Sequence, residues 1–293
     1  MKTYKRSGTV FLCLAFMLCF ALSGCGDNGA DVGQAPQTDV EESIIKVIGT
    51  DGSEQDVNLN ELYSDKNNYF EHIYSTINNW PSKGCNAAKG IKIEAIPGLS
   101  PEDDFTSVTF ESGDGYRVTL TKEQLYCDRF HYPNLENDEE TGKEPVETII
   151  AMEYKEGSGD LSEAEADKPF LMLGQSNIQE HNTIAGVVDI ATITISNEKA
   201  EQWAQPTAYP EPGVIYAGDK VKLEHSGAGA FAKMYYTTDG SDPTVNSTLY
   251  NPSTYQPELN APIEITKDTV IKVLVSGYGK EDSEIATFEF KVK

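Results

Sequence analysis

Basic side chains are scarce in this 293-residue sequence: 23 Lys and Arg face 47 Asp and Glu, for a formal charge of −24. Such a chain repels phosphate backbones, and no basic run offsets it, which excludes nucleic acid as a partner. Arginine occurs only as Arg6, Arg117 and Arg129, and histidine only as His72, His131, His181 and His225. None of the five cysteines belongs to a CxxC pair, so zinc-ribbon or thioredoxin-like chemistry has no support. Long apolar runs are missing except at the extreme N-terminus, which excludes a chain with several membrane-spanning helices. Apolar residues nevertheless make up 39% of the chain, with 15 Tyr and 11 Phe, enough for ordinary cores and too much for wholesale disorder. The length suits about two domains.

The N-terminus reads as an address. Lys2, Lys5 and Arg6 precede the apolar residues 10–22, a stretch too short to span a bilayer and suited to the hydrophobic region of a signal peptide. It ends in Leu22-Ser23-Gly24-Cys25, which resembles the lipobox of bacterial lipoproteins. The resemblance implies removal of residues 1–24 and acylation of the Cys25 thiol, each buried CH₂ of an acyl chain contributing about 0.8 kcal/mol of membrane affinity. The mature chain would carry 20 basic and 47 acidic side chains. Anionic headgroups repel such a surface, so the expected membrane contact is the lipid on Cys25. The expected location is extracytoplasmic. Residues 25–43 are rich in Gly, Asp, Gln and Pro and read as a flexible tether, on the order of 20–25 Å in reach.

Two cysteines remain, Cys85 and Cys127. In an exported chain they either form a disulfide or stay as separate thiols.

Residues 44–197 read as an α+β domain. Ile44-Ile45-Lys46-Val47-Ile48 has the character of a strand. The runs Val108-Thr109-Phe110 and Tyr116-Arg117-Val118-Thr119-Leu120 alternate apolar and polar around Ser112-Gly113-Asp114-Gly115, which predicts a β-hairpin. Thr121-Lys122-Glu123-Gln124 has capping-box form and predicts a short helix. Residues 187–195 (VVDIATITI) predict a closing strand. The acidic clusters at residues 101–104 and 137–140, and residues 156–168, read as solvated loops, since no EF-hand spacing is present.

The order Trp80, Ala88-Lys89-Gly90-Ile91-Lys92-Ile93, Phe110-Glu111-Ser112-Gly113-Asp114-Gly115-Tyr116 and Gly174-Gln175 resembles the molybdopterin-binding domain of the sulfite oxidase family, over roughly 150 residues. That resemblance implies a cofactor whose metal is held by a cysteine a few residues before the tryptophan. Here the matching position is Thr76, and a hydroxyl replaces a soft thiolate poorly. Recruitment of the cofactor would fall to Cys85, Asp114, Arg129 and His131. Read as local chemistry instead, Asp114 supports its own turn, Arg129 and His131 form a solvated turn or a structural pair, and His72 and His181 are structural or exposed.

Residues 198–209 read as a Pro-containing linker, and residues 210–293 carry short strand-like runs at regular spacing, which predicts a small all-β, Ig-like sandwich. In residues 286–292, Phe288, Phe290 and Val292 share one face. Met234-Tyr235-Tyr236-Thr237-Thr238-Asp239-Gly240-Ser241-Asp242-Pro243-Thr244 resembles the signature of the chitobiase/β-hexosaminidase C-terminal domain. The resemblance implies a non-catalytic appendage. Asp239 and Asp242 read as turn formers, and one of Tyr235 and Tyr236 as inward-facing. Tyr216, Tyr250, Tyr255 and Tyr278 are candidates for sugar stacking or for packing.

Three functional expectations follow. The first is a lipid-anchored protein with binding or scaffold modules, no cofactor, and an extracellular protein or glycan as partner. The second is an exported molybdopterin oxidoreductase. The third is a carbohydrate-binding surface adhesin. No paired carboxylates or nucleophile–base pair suggest catalysis on their own.

Overall fold

The computed structural model describes residues 43–227 and 231–293. The signal segment, Cys25 and the tether lie outside the described residues. The first part of the chain runs through β1 (Ile44–Ile48), β2 (Glu54–Asn58), α1 (Leu59–Ser64), β3 (Tyr69–Ile77), β4 (Lys83–Lys92), β5 (Ser107–Ser112), β6 (Arg117–Thr121), α2 (Lys122–Tyr126), β7 (Phe130–His131), β8 (Glu144–Pro145), β9 (Ile149–Glu156), β10 (Glu165–Met172) and β11 (Ile190–Ser196). The second runs through β12 (Thr207–Tyr209), β13 (Gly213–Ile215), β14 (Asp219–Glu224), β15 (Ala232–Thr237), β16 (Thr248–Leu249), β17 (Ile263–Ile265), β18 (Thr269–Gly277) and β19 (Ala286–Val292). The described chain is therefore mostly β, and its two α-helices are single short turns of 6 and 5 residues. The expected α contribution to the first body is minor: strand pairing takes up nearly all of the apolar sequence.

In the first body, one sheet has the order β2-β1-β11-β5-β6 and the other β10-β9-β4-β3. β1 pairs antiparallel with β2 and parallel with β11, Val47 opposite Ile193. Alternation puts Ile45 and Val47 of β1, Val108 and Phe110 of β5, and Val118 and Leu120 of β6 on the buried face. They meet Ile91, Ile150 and Leu171 of the second sheet in one core. The other face of that second sheet is buried as well: its Tyr74, Ile149 and Phe170 form a second cluster with Val146 from the segment before β9. Burial on both faces explains why Ile149-Ile150-Ala151-Met152 is apolar without a break. Gly90 sits where β4 and β9 lose register, and a Cβ there would fall 2.2 Å from the Ile150 carbonyl oxygen. Only glycine allows that approach.

Local chemistry builds the connecting pieces. In the β5–β6 hairpin, the Asp114 carboxylate accepts from the Tyr116 N–H at 3.0 Å and from the Ser112 hydroxyl. At the start of α2, Gln124 N donates to Thr121 Oγ1 (3.2 Å) and Thr121 N donates to Gln124 Oε1 (3.1 Å), a reciprocal cap.

The second body is a two-sheet sandwich, β12-β14-β17 against β13-β19-β18-β15-β16. Val221, Leu223, Ile263 and Ile265 of one sheet pack on Met234, Ile271, Val273 and Phe290 of the other. The buried Tyr250 hydroxyl accepts from Leu223 N at 3.0 Å. Of Tyr235 and Tyr236, Tyr236 packs against the sandwich core beside Met234, and Tyr235 is buried on the opposite face of β15. The Asp239 carboxylate accepts from Ser241 N at 3.0 Å, and Asp242 pairs with Lys272 at 2.6 Å.

Residues 198–209 are not a free linker. Trp203 N donates to Glu281 O, Glu281 N donates to Glu201 O, and β12 is already part of the second sandwich. The two bodies also belong to one compact unit, residues 41–293. Phe231 and Tyr278 of the second body pack on the core of the first.

Candidate functional site

The chemistry-bearing side chains concentrate where the two bodies meet. Gln124, held in place by its role in the α2 cap, reaches across with the same side-chain amide. Its Nε2 donates to Gly277 O (2.8 Å) and Lys280 O (3.0 Å), and Gly279 N donates to its Oε1 (2.9 Å). Beside it lies Arg129, only 4% exposed. Its guanidinium donates to Gly174 O (2.8 Å), Gln124 O (2.6 Å) and both Glu180 carboxylate oxygens (3.3 and 3.4 Å). The Tyr278 hydroxyl, from the second body, donates to Glu180 Oε1 at 2.7 Å. Burial opposes the Arg129 charge most strongly, but Glu180, with Cys127 and Tyr278 adding to it, outweighs burial and the guanidinium stays charged. Burial first, then Glu180, holds the Tyr278 phenol far above its ordinary range.

Gly174 belongs to this junction for a steric reason. A Cβ on it would lie 2.3 Å from Val146 Cγ2 and 3.2 Å from Arg129 Cβ. The adjacent Gln175 is fully buried, accepts from Ser75 Oγ at 2.6 Å and donates to Glu180 O at 3.1 Å. These ties explain the pairing of Gly174 with Gln175 without a cofactor.

Arg129, Glu180, Lys233, Tyr235 and Tyr278 line a junction cavity of about 100 Å³. That is below the roughly 300–1,000 Å³ of ligand pockets and suits a few waters. Lys233 donates weakly to Asn251 O (3.3 Å) and Pro252 O (3.4 Å), and burial pulls its ammonium down to about 8. Burial, assisted by Lys233, pulls His181 down to about 3, so its ring is neutral at ordinary pH. His181 is thus a structural, buried side chain, its Nδ1 3.3 Å from Asn79 Oδ1.

A second and larger opening of about 530 Å³ also lies between the bodies, lined by Ile77, Pro81 and Lys83 from one side and Asn246, Thr248 and Leu249 from the other, with His181 common to both cavities. Lys83 is committed to Asp138 at 2.7 Å.

The four residues that a molybdopterin reading would recruit sit among separate sets of neighbours. Cys85 pairs in register with Ser75, beside Gly159, and burial followed by the nearby Glu136 carboxylate raises its thiol. Thr76 faces Gly84. Asp114 closes its own turn. Arg129 is neutralised by Glu180. His131 turns away from Arg129 toward His72 (ring centroids 5.8 Å apart), and His72 Nε2 lies 3.3 Å from Glu144. Burial, with His72 adding to it, lowers the His131 imidazole. A thiol held protonated beside a carboxylate offers no soft thiolate, and a guanidinium whose two terminal nitrogens are taken by a carboxylate and two carbonyls, with only the buried Nε left over, offers no phosphate anchor. These residues do not fit the cofactor. The Arg129–His131 pair expected from their spacing is not formed: Arg129 precedes β7 and is held by Gly174 O, Gln124 O and Glu180, whereas the His131 ring packs against His72.

Cys85 and Cys127 are both unbridged, which corrects the disulfide alternative: Cys127 follows α2 at the junction, with its Sγ 3.5 Å from Gln124 O, whereas Cys85 lies on β4. Burial raises the Cys127 thiol more than Arg129 lowers it. Among the described residues, no group of three or more His, Cys, Asp or Glu side chains is arranged to hold a metal ion. Glu180 is the junction residue that sequence reasoning passed over. Nothing around it distinguishes it from the other 46 acidic residues.

Curated proteins give no match to the chain. Among solved structures, the chain is similar to the sulfane dehydrogenase SoxCD from Paracoccus pantotrophus, at 7% identity and a TM-score of 0.32, over 82% of this chain and 68% of that one. It is also similar to the glycoside hydrolase domain of Spr0440, Endo-D, from Streptococcus pneumoniae R6, at 15% identity and a TM-score of 0.23, over 86% of this chain and 36% of that one. Neither likeness carries an argument about this chain at those scores. Residues 221–290 match the Fn3-associated family, and they span β14 to β19. The second body is thus similar to an Fn3-associated β module.

Proposed function

We propose that the chain is a lipid-anchored extracytoplasmic protein that acts by binding, with two β bodies joined into one display unit and no resident cofactor. The observation that carries this reading is the junction. Its buried Arg129 and Glu180 charges neutralise each other, its Cys127 thiol is held protonated, and beside its small cavity lies a wider groove in which Lys83 and Asp138 cancel. That arrangement suits recognition and, among the described residues, supplies no group of three or more side chains placed to hold a metal. The Leu22-Ser23-Gly24-Cys25 segment supports anchoring through Cys25, and the Fn3-associated match supports a non-catalytic role for the second body.

Two measurements test the proposal. Metabolic labelling with palmitate is expected to mark the chain and to be lost in Cys25→Ser, with the protein moving from the membrane to the soluble fraction. Elemental analysis of the native protein is expected to give no stoichiometric molybdenum. Stoichiometric molybdenum that disappears in Cys85→Ser overturns the reading in favour of redox work.

A further inference from the structure

We infer that the groove between the two bodies, together with the stacked Trp80–Tyr255 pair beside it, is a binding site for a neutral oligosaccharide. The inference rests on the binding-module reading above and names the ligand class of its groove.

Trp80 and Tyr255 come from different bodies and stack at 5.0 Å between ring centroids, 22° apart. Both remain largely open to solvent, Trp80 at 53% and Tyr255 at 56% exposed. A stacked pair that served only as packing would bury its faces. Two broad rings left in water next to a cleft form a platform of the kind on which the C–H face of a pyranose rests, with low side-chain entropy to lose.

Both rings are held by prearranged loops. Asn78 Oδ1 accepts from Trp80 N (2.9 Å) and Ser82 N (3.0 Å), which fixes the β3–β4 turn. Ser253 Oγ accepts from Tyr255 N (3.2 Å) and Gln256 N (2.8 Å). The same hydroxyl donates to Asn79 O (3.2 Å), and Thr254 N donates to that oxygen at 3.1 Å, so the two loops are tied to each other. The cost of ordering them is met on folding and not on binding.

The groove begins beside these loops: Pro81 follows Trp80, Pro252 lies on the Tyr255 loop, and both line the opening of about 530 Å³. That volume suits a small ligand. Its polar lining is amide and hydroxyl, from Gln179, Asn246, Ser247 and Thr248. Lys83 and Asp138 cancel each other, and His181 is neutral. Hydrogen-bonding groups without net charge, next to an aromatic platform, match a polyol. The acidic surface repels an anionic ligand, and the groove holds no unpaired cation to recover one.

The full chain in detergent can be titrated calorimetrically with hexamers of β-1,4-linked N-acetylglucosamine, glucose, xylose and mannose, with polygalacturonate as the charged comparison. The tryptophans are Trp80 and Trp203, so a Trp203→Phe chain reports Trp80 emission alone. The expected result is that at least one neutral hexamer binds below millimolar concentration and shifts Trp80 emission. Trp80→Ala and, separately, Asn246→Ala should each weaken that binding at least tenfold while leaving the melting temperature unchanged. The inference is overturned if no neutral hexamer binds at millimolar concentration, if binding survives Trp80→Ala, or if polygalacturonate binds as well as the neutral sugars. Palmitate label on Cys25 in a chain that binds no hexamer removes the sugar assignment and leaves the anchored-module proposal standing.

Discussion

Replacing Glu180 by Gln keeps the shape of the junction and removes one charge. Arg129 is 4% exposed and its guanidinium cannot shed its proton, so the substitution strands a buried cation. Breaking a buried pair in this way costs about 3–5 kcal/mol. The lower end applies here: the contacts are 3.3 and 3.4 Å, two carbonyls also hold the guanidinium, and glutamine can still accept from Tyr278. A loss of about 3 kcal/mol corresponds to a fall in Tm of roughly 6–12 °C for a unit of this size. Thermal and urea melts of Glu180→Gln, Arg129→Met and the double variant form a cycle. The double variant should cost less than the two singles together, by about 1–3 kcal/mol, because removing the cation removes the reason the first loss was large. Additivity within about 0.5 kcal/mol, or a Glu180→Gln melt that matches the parent, refutes the account of the junction as a charge-locked contact.

The pH dependence has a definite sign. His181 is pulled down to about 3 on folding, so between its unfolded value near 6.5 and that value the unfolded chain binds the extra proton. Stability is therefore fully present above about pH 6.5 and falls on acidification by up to about 1.4 kcal/mol per pH unit from this group, and His181→Gln should flatten that slope in urea melts at pH 4–7. Gly174→Ala should destabilise by about 1–3 kcal/mol, because its Cβ meets Val146 and backbone within van der Waals contact, and thermal melts would show it. Thr121→Ala should cost about 1 kcal/mol through the lost α2 cap. Phe110→Ala should cost about 3–5 kcal/mol in denaturant melts, since the ring is fully buried between the sheets of the first body.

What sequence reasoning recovered was local. The β5–β6 hairpin follows from alternation around an Asp-Gly turn, the α2 cap from Thr121 and Gln124, and β19 from its alternating Phe288, Phe290 and Val292. Each of these signals acts within a few residues. The two-face burial of β4, β9 and β10 was hidden because a strand covered on both sides shows no period. The junction was hidden for a different reason. Arg129, Glu180, Tyr278 and the reaching end of Gln124 acquire meaning only when two bodies dock, and Trp80 meets Tyr255 only there. Spacing therefore paired Arg129 with His131, and the fold gave them different partners, Glu180 for one and His72 for the other. His181 read as structural or exposed, and docking buried it.

The placement of β1 inside its sheet, between β2 and β11, has a mechanical consequence. A load drawn in through the amino-terminal end of the chain reaches Ile44 and runs along a strand bonded on both flanks, to β2 on one side and to β11 on the other. Both ladders then resist by sliding, many bonds at once, instead of peeling one rung at a time. A protein held at a surface by that end would keep its fold under tugging that would unzip a strand at the sheet's margin.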